Sequence, residues 1–294
     1  MKYTSFLPGV PAVSGLGLGL WPLTGAMGPV DIEAARSTIA AAFELGITFF
    51  DASRNAPVSE ELLGQMVAGS RRDRCVVATK AFPGESADGL RAAVEKSLTA
   101  LRTDYIDLFQ LQGWYPQMPI EKVVTDAMKL VEEGKIRHLG VCNFDAAILE
   151  TACEGGTIAT NALEHNLLQR SAEGEDFEAC ARRDVAVVAH SALAKGLLSG
   201  RYRAGHAFDT ADERARFSDV RERLDGGQLD GLTSVAAASG HSLRELAIAW
   251  LLSRDAVAVT LVGAKSPQQV EENCLAVTSS LDDALMARLD DITS

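Results

Sequence analysis

The feature that most constrains the fold is an alternation of short apolar segments with helical segments, repeated eight times along the chain. A typical helical segment, IEAARSTIAAAFELG after Asp31, places its apolar residues three and four apart. Most of the apolar segments lack strict polar–apolar alternation, which is typical of parallel strands that are buried on both faces. These predicted strands are Val13–Trp21, Ile47–Phe50, Cys75–Ala81, Tyr105–Gln112, His138–Phe144, Ala159–Glu164, Val185–His190 and Ala258–Val262.

Eight strand–helix units in 294 residues predict an α/β protein made of one closed (β/α)8 barrel, the TIM barrel, over residues 1–294. A doubly wound open sheet is the alternative, but no GxGxxG motif follows an early strand. The segment at about 193–240 is charged and irregular. We expect it to form a long loop over the face where the strands end, since substrate loops of barrels lie there.

Composition narrows the class of partner. The formal net charge is −12 and the pI is about 4.9, which argues against nucleic acid or an anionic membrane as a partner. Five cysteines occur without a CxxC pair, so we expect reduced thiols, no disulfide framework and no metal site. We find no secretion signal and no apolar run approaching ~20 residues, and therefore expect a cytoplasmic protein with no membrane span.

The carboxyl ends of the predicted strands carry polar side chains that a barrel brings together. Asp51 ends the strand ITFF, and Lys80 ends the strand VVATK. A lysine at the end of an apolar strand needs an anionic partner, and Asp51 on the adjacent strand can supply it. The alternatives are a turn-capping role for Asp51 and a purely structural salt bridge. The residues predicted to surround one cavity are Trp21, Asp51, Lys80, Gln112, Cys142, Asn143, Ala162 and His190.

A second candidate site lies in the C-terminal stretch LVGAKSPQQVEEN. Lys265 and Ser266 precede a predicted helix that begins at Pro267, and a helix N-terminus flanked by these side chains favours a phosphate. Gln269, Glu272 and Asn273 follow at helical spacing on one face, with donors and acceptors suited to an adenine edge. The alternative is an ordinary capped surface helix.

From about Gly15 to Val277 the chain resembles the aldo-keto reductase family. The resemblance rests on the motifs GITFFDA with SEELLG, VVATK, LRTDYIDLFQLQ, GKIRHLGVCNF, AHSALAKGLLSG and GAKSPQQVEEN. It implies a TIM barrel, NADP(H) bound across the strand ends, hydride transfer to a carbonyl of a small molecule, and a monomer or weak homo-oligomer. The cofactor-binding residues that it implies are Gly19, Leu20, Trp21, Asp51, Asn143, His190, Ser191, Leu193, Lys195, Gly196, Gly263, Lys265, Gln269, Glu272 and Asn273.

Within that set, the resemblance assigns particular roles. It implies that Asn143 contacts the nicotinamide carboxamide, that a ring at His190 stacks on the nicotinamide, and that Lys265 contacts the 2′-phosphate. Cys142 stands where the family more often has Ser, and Ala162 where it usually has Gln. Both replacements would reduce the number of hydrogen bonds to the carboxamide.

The chain departs from the family at the chemistry. The family uses Asp, Tyr, Lys and His, of which Asp51 and Lys80 match. The Tyr belongs five residues after the Asp, where this chain has Ala56, and the His position is Gln112. Gln112 can donate a hydrogen bond but cannot act as an acid near neutral pH. The predicted catalytic residues are therefore Asp51, Lys80 and Gln112.

Other side chains near the missing Tyr are candidate proton or hydrogen-bond donors. Arg54 and Asn55 lie one or two positions before Ala56, and Tyr115 follows Gln112 on a loop. His165 follows a strand end, but for His165 and Tyr115 a packing role is the favoured interpretation.

Three functions follow from this pattern. The first is an NADPH-dependent oxidoreductase with an atypical active site that reduces a carbonyl or a conjugated enone of a small molecule. The second is a non-redox lyase or isomerase that uses Asp51 and Lys80 as base and acid, since one fold supports many chemistries. The third is a protein that binds NADPH without catalysis.

Overall fold

The computed structural model describes residues 1–82, 87–115 and 118–293, so Ser294 at the end of the predicted domain lies outside the described residues. The strands are β1 (Tyr3–Thr4), β2 (Val13–Ser14), β3 (Leu16–Gly19), β4 (Phe49–Asp51), β5 (Val76–Ala81), β6 (Ile106–Gln112), β7 (Ile136–Cys142), β8 (Thr160–Glu164), β9 (Ala186–His190) and β10 (Val257–Gly263). Strands β3 to β10 are parallel and close into one barrel, in which β10 pairs with both β3 and β9. This confirms the predicted (β/α)8 barrel.

Helices follow the barrel strands and surround them. They are α1 (Ile32–Glu44), α2 (Pro57–Val67), α3 (Ala87–Leu101), α4 (Ile120–Glu132), α5 (Ala146–Gly155), α6 (Glu175–Arg182), α7 (Ser218–Asp225), α8 (Gln228–Ser239), α9 (Leu243–Leu252), α10 (Pro267–Leu275) and α11 (Asp283–Thr293). Several begin at side-chain caps: Asp31 accepts the Ala34 amide at 2.8 Å before α1, and Ser242 forms a capping box with Glu245 before α9.

The buried side chains divide into two layers. One layer lies between the barrel and its helices and includes Phe50, Phe109 and Trp250. The other fills the inside of the barrel and includes Phe49, Leu108 and Val259. Because successive side chains of a strand point to opposite faces, Phe49 and Phe50 serve the two layers in turn.

The amino-terminal segment closes the opposite end of the barrel from the predicted site. Strands β1 and β2 form an antiparallel pair, and Leu7 between them packs into the inner layer. Full burial of such a side chain contributes about 1.5–3 kcal/mol. The ring of His138, near the start of β7, contacts the Pro8 carbonyl oxygen at 2.9 Å. The sequence predicts a first strand from Val13 and gives no sign of β1, which has only two residues.

The segment 193–240 differs from the predicted long loop. Its second half contains α7 and α8, and the irregular part runs from about 200 to 217, with a short 3-10 helix at Glu213–Arg216. The sequence of α7, SDVRERLD, is mostly charged and buries only Val220 and Leu224, so its apolar periodicity is too weak to indicate a helix.

No helix in the described ranges is long and apolar enough to cross a lipid bilayer.

Candidate active site

A cavity of about 470 Å³ lies at the carboxyl ends of the barrel strands. The eight strand-end residues predicted to meet there all line it, from Trp21 to His190. They meet because neighbouring strands are in register at their ends: Gly19 pairs with Asp51, and Gln112 pairs with Cys142. The barrel therefore brings together residues from all parts of the chain, as the strand pattern predicts.

Asp51 and Lys80 form an ion pair on the floor of this cavity. The Lys80 ammonium contacts Asp51 Oδ2 and donates a second hydrogen bond to the Ala52 carbonyl oxygen at 3.1 Å. Their side chains are only 8% and 15% exposed, so each charge depends on the other for compensation. An ammonium has three N–H donors, and two protein acceptors leave one N–H for a ligand.

Gln112 ends β6 beside this pair. Its Oε1 accepts a hydrogen bond from Asn55 Nδ2 at 3.0 Å. That contact leaves the Gln112 Nε2 group as a donor toward the cavity that Gln112 lines. The arrangement offers a hydrogen bond to an anionic oxygen, but it does not offer an acidic proton.

Two of the other candidate donors are held away from the cavity. Arg54 pairs with the fully buried Glu60 at 2.8 Å, and the Thr79 hydroxyl donates to the same carboxylate at 2.7 Å. Tyr115 stacks on Phe82 with 6.1 Å between ring centroids. Neither Arg54 nor Tyr115 is among the described residues that line the cavity.

His165 is fully buried and packs against the rings of Phe177 and Trp250. Burial lowers the pKa of His165 to about 4, although Glu173 at 3.5 Å pulls in the opposite direction. The packing interpretation of His165 and Tyr115 therefore fits the structure.

His190, Asn143 and Ser191 form one hydrogen-bonded group on the cavity wall. Burial, and secondarily Lys80, lower the pKa of His190 to about 4, so its imidazole is neutral at neutral pH. A neutral ring donates from one nitrogen and accepts at the other. The contacts fit donation from Nε2 to Asn143 Oδ1 at 2.9 Å, and acceptance at Nδ1 from the Ser191 hydroxyl at 3.1 Å. This assignment leaves the Asn143 Nδ2 group free to donate.

The backbone of this wall is strained. Asn143 and Ser191 have φ values of 57° and 58°, in the left-handed region that non-glycine residues seldom adopt. For Ser191 such a conformation costs about 1–3 kcal/mol, whereas Asn adopts it more readily.

Lys265 lies at the far end of the cavity, before α10. Its ammonium contacts the carbonyl oxygens of Met27 and Gly28, and its backbone N–H donates to Gln269 Oε1 at 2.9 Å. Burial, followed by the nearby Arg214, lowers the pKa of Lys265. The Ser266 hydroxyl caps α10 by accepting the Gln269 N–H at 3.3 Å. A cation therefore precedes the capped start of the helix, as the sequence predicts.

Most of the proposed cofactor residues line the cavity, and three do not: Leu20, Glu272 and Asn273. Leu20 is fully buried, and its backbone N–H donates to the Asp51 carbonyl oxygen at 2.9 Å. Glu272 pairs with Arg244 at 2.7 Å, and Asn273 Oδ1 accepts from Arg244 Nη1 at 3.2 Å. Glu272 and Asn273 thus hold Arg244, which itself lines the cavity.

Sequence reasoning missed several cavity residues that come from the segment after β9 and from α9. Glu213 accepts a hydrogen bond from the Trp21 ring nitrogen at 2.6 Å, and Phe217 is 40% exposed at the cavity wall. Arg244, inside α9, has its pKa lowered by burial. The cluster of aromatic and Arg residues between 201 and 217 is the one signal in the sequence for this wall. The other missed lining residues with side chains suited to binding are Arg201, Tyr202 and Arg214.

Comparison with known proteins places the chain in a family. The model of the aldo/keto reductase family matches residues 15–294, and the chain belongs to that family. Aldo-keto reductase YhdN from Bacillus subtilis is 30% identical over 92% of this chain and 87% of its own length. The NADH-specific methylglyoxal reductase of Escherichia coli is 28% identical over 92% of each chain. The structure of the glycerol dehydrogenase AKR11B4 from Gluconobacter oxydans superposes with a TM-score of 0.86, at 28% identity over 97% of this chain and 93% of that one.

Proposed function

We propose that this protein is an NADP(H)-dependent reductase of a small-molecule carbonyl or conjugated enone, in which Lys80 takes over the proton-donor role of the family's Tyr and Gln112 occupies the position of its His. One observation carries the proposal. The Asp51–Lys80 pair and the Gln112 amide lie on the floor of the same cavity whose wall holds His190 and Asn143.

The residues of the cavity fit a nicotinamide dinucleotide. The neutral imidazole of His190 offers a flat apolar face without a charge, and the free Asn143 Nδ2 suits a carboxamide oxygen. A Cβ added at Gly19 would have no protein atom within 4 Å, so the missing side chain leaves open space at a residue that lines the cavity. Bound there, NADPH would supply the hydride.

The preference for NADPH over NADH rests on cations at the far end of the cavity, near the start of α10. We call this the adenosine end, because the adenosine part of the cofactor would lie there. Lys265 and Arg244 both line the cavity around the start of α10. Arg244 is already paired with Glu272 at 2.7 Å, whereas the Lys265 ammonium contacts carbonyl oxygens and has no carboxylate partner among the described residues. A dianionic 2′-phosphate would supply the ion-pair partner that Lys265 lacks. Since one of the relatives is NADH-specific by name, this preference needs a direct measurement.

The chemistry of this chain follows from the donors on the cavity floor. When hydride reaches a carbonyl carbon, negative charge develops on the oxygen, and the Gln112 amide and the Lys80 ammonium stabilise it by hydrogen bonds. The oxygen then takes a proton from the Lys80 ammonium, which solvent recharges. In an enone the hydride reaches the β-carbon, the same two donors hold the oxygen, and solvent protonates the α-carbon. The enone reaction therefore places the smaller demand on an acid.

The contacts of Asp51 argue against the non-redox alternative. Its Oδ2 contacts Lys80, and its Oδ1 accepts from Gln110 Nε2 at 3.0 Å. A general base needs an oxygen that can reach the substrate proton. The replacement of the usual acid by Ala56 instead supports a second candidate, an NADP(H)-binding protein without turnover.

A fluorescence titration tests the cofactor half of this proposal. We expect wild-type protein to bind NADPH more tightly than NADH. Lys265→Ala should lower the affinity for NADPH by about 10-fold or more, since one charge-assisted hydrogen bond contributes about 1.5–3 kcal/mol. Lys129→Ala, which removes a 60%-exposed cation on α4, is the matched control and should leave both affinities unchanged. Equal loss in both variants, or no binding of either nucleotide, would contradict the proposal.

A further inference from the structure

Beneath the cavity floor lies a polar side chain that no part of the sequence pattern singled out. Gln110 sits two residues before Gln112 on β6, and Leu108, two residues earlier still, belongs to the inner layer of the barrel. Side chains two apart on a strand share one face, so Gln110 points into the barrel under the active site. It is fully buried.

Among the residues that the structure describes, the Gln110 side chain makes one hydrogen bond, to Asp51. Its Nε2 donates to Asp51 Oδ1 at 3.0 Å, while Lys80 contacts Oδ2. The orientation of the Gln110 amide is fixed by chemistry, because an ionised carboxylate only accepts hydrogen bonds and must face the NH2 group rather than the oxygen. The two partners together determine how the Asp51 carboxylate is rotated.

The other end of the same amide is unsatisfied. Gln110 Oε1 is buried and has no hydrogen-bond donor among the residues that the structure describes. A buried acceptor without a partner destabilises a fold, and an apolar side chain of similar length would avoid that loss. Gln110 is therefore a poor choice for stability at this position, which points to a role in the site above it.

The neighbouring strand makes room for this side chain. Gln110 pairs in register with Gly140 on β7, which pairs in turn with Thr160 on β8. A Cβ at Gly140 would lie 2.4 Å from Thr160 Oγ1 and 3.2 Å from Gln110 Cγ. Any larger residue at position 140 would collide with Thr160 and would also crowd the Gln110 side chain that reaches Asp51.

We infer that Gln110 is a positioning residue for catalysis, which holds the Asp51 carboxylate so that its second oxygen keeps the Lys80 ammonium directed at the substrate. The inference rests on the proposed reductase function, because Lys80 is the proton donor of that function. Without the Gln110 contact, the carboxylate is free to rotate toward Lys80 with both oxygens, and the ammonium leaves the Ala52 carbonyl oxygen. A displacement of this kind costs on the order of 10²-fold in rate.

The test compares wild type with Gln110→Met, which keeps the length of the side chain and removes both polar groups. Thr160→Val is the matched control, since Thr160 is equally buried in the same inner layer and its hydroxyl lacks a partner among the described residues. We expect Gln110→Met to lower kcat on the order of 10²-fold while the NADPH Kd stays unchanged and Tm stays level or rises. Thr160→Val should leave all three unchanged or raise Tm.

Crystal structures of the two variants give a readout that does not depend on turnover. We expect the Asp51 carboxylate to be rotated and the Lys80 ammonium displaced in Gln110→Met, and both to be unchanged in Thr160→Val. Unmoved Asp51 and Lys80 in Gln110→Met would overturn the inference, and so would a Gln110→Met protein that fails to fold or loses Tm together with kcat. A wild type without turnover would contradict the proposed function, and the crystal structures would still decide the role of Gln110.

Discussion

The two ends of the cavity are built in different ways. At the adenosine end and along the wall, backbone features hold the side chains that we propose as cofactor contacts: the left-handed conformations of Asn143 and Ser191, and the capped start of α10 at Ser266. At the floor, the proposed chemistry depends on the tips of Lys80 and Gln112. Backbone features are tied to the fold, whereas side-chain tips can change without altering it. This difference would allow a chain to keep the proposed cofactor contacts while its predicted catalytic residues change, as the sequence indicates at Ala56 and Gln112.

The largest expected effect comes from Lys80→Met, which removes the cation of the floor. We expect turnover to fall about 10²–10⁴-fold, because the proton donor is lost. The free energy of unfolding should fall by about 3–5 kcal/mol, because Asp51 is left buried without its partner. Steady-state kinetics and urea unfolding measure the two effects.

The matched control for Lys80→Met is the double variant with Asp51→Asn, which should recover stability without recovering turnover. NADPH affinity should persist in both proteins if the two ends of the cavity are independent. Unchanged turnover in Lys80→Met would show that Lys80 is not the proton donor.

Gln112→Leu should have the next largest effect. It removes a donor from the developing oxyanion, and we expect kcat to fall about 10²–10³-fold with the NADPH Kd unchanged. Asn55→Ala removes only the partner of Gln112 Oε1, so its loss in kcat should be much smaller. A similar loss in both variants would mean that the loop carrying Asn55, rather than the Gln112 donor, is what the reaction needs.

The stability of the protein should depend on pH through His190 on the cavity wall. The unfolded chain protonates this histidine below pH ~6.5, whereas the folded protein does so only below about 4, so acidification favours unfolding. Between pH 7.5 and 5 we expect the free energy of unfolding to fall by about 2 kcal/mol on this account.

Urea unfolding across that pH range, without cofactor, measures the contribution of His190 as the difference between wild type and His190→Phe. His165, whose pKa is also about 4, contributes to both proteins and cancels in the difference. Equal pH dependence in the two proteins would mean that His190 is not held neutral by burial.

A pair of glycine variants on β3 separates cofactor space from core packing. The new side chain of Gly19→Leu should extend into the open cavity. We expect this variant to lower the affinity for NADPH by about tenfold, or 1.4 kcal/mol, with little change in Tm. A Cβ at Gly17 would lie 2.8 Å from Leu261 Cδ2, so Gly17→Ala should lower stability by about 1–3 kcal/mol. Because Leu261 lines the cavity, NADPH affinity should also change, but much less than in Gly19→Leu. Both binding effects are read from titrations. An intact NADPH affinity in Gly19→Leu would place the cofactor elsewhere.

The sequence predicted the barrel and the ring of strand-end residues because both follow from local patterns and one topological rule. Asp51, Lys80 and His190 needed only a correct strand end to be placed at the cavity. It was harder to predict which part of the protein each face of α10 contacts. Helical spacing puts Glu272 and Asn273 on one face, but it does not say which neighbour that face meets, and here the neighbour is Arg244.

Two other features lay beyond the sequence for physical reasons. The helix α7 is too short and too charged to show a period, and its stability comes from packing of Val220 and Leu224. Strand alternation was enough to predict that Gln110 points into the barrel, since Leu108, Gln110 and Gln112 share one face. What the sequence could not show is that the amide meets Asp51, because that contact crosses from β6 to β4 through the inside of the barrel.

The proposed reductase function requires that the cavity floor supports hydride transfer without the usual Tyr. The most direct measurement uses NADPH that carries deuterium at the transferable position, incubated with a panel of aldehydes, ketones and enones, and detects the label in the products by mass spectrometry. We expect label in the product of at least one substrate with wild type, and little or none with Lys80→Met. NADPH that binds while no product gains deuterium would overturn the proposed reductase function and favour a cofactor-binding protein without turnover.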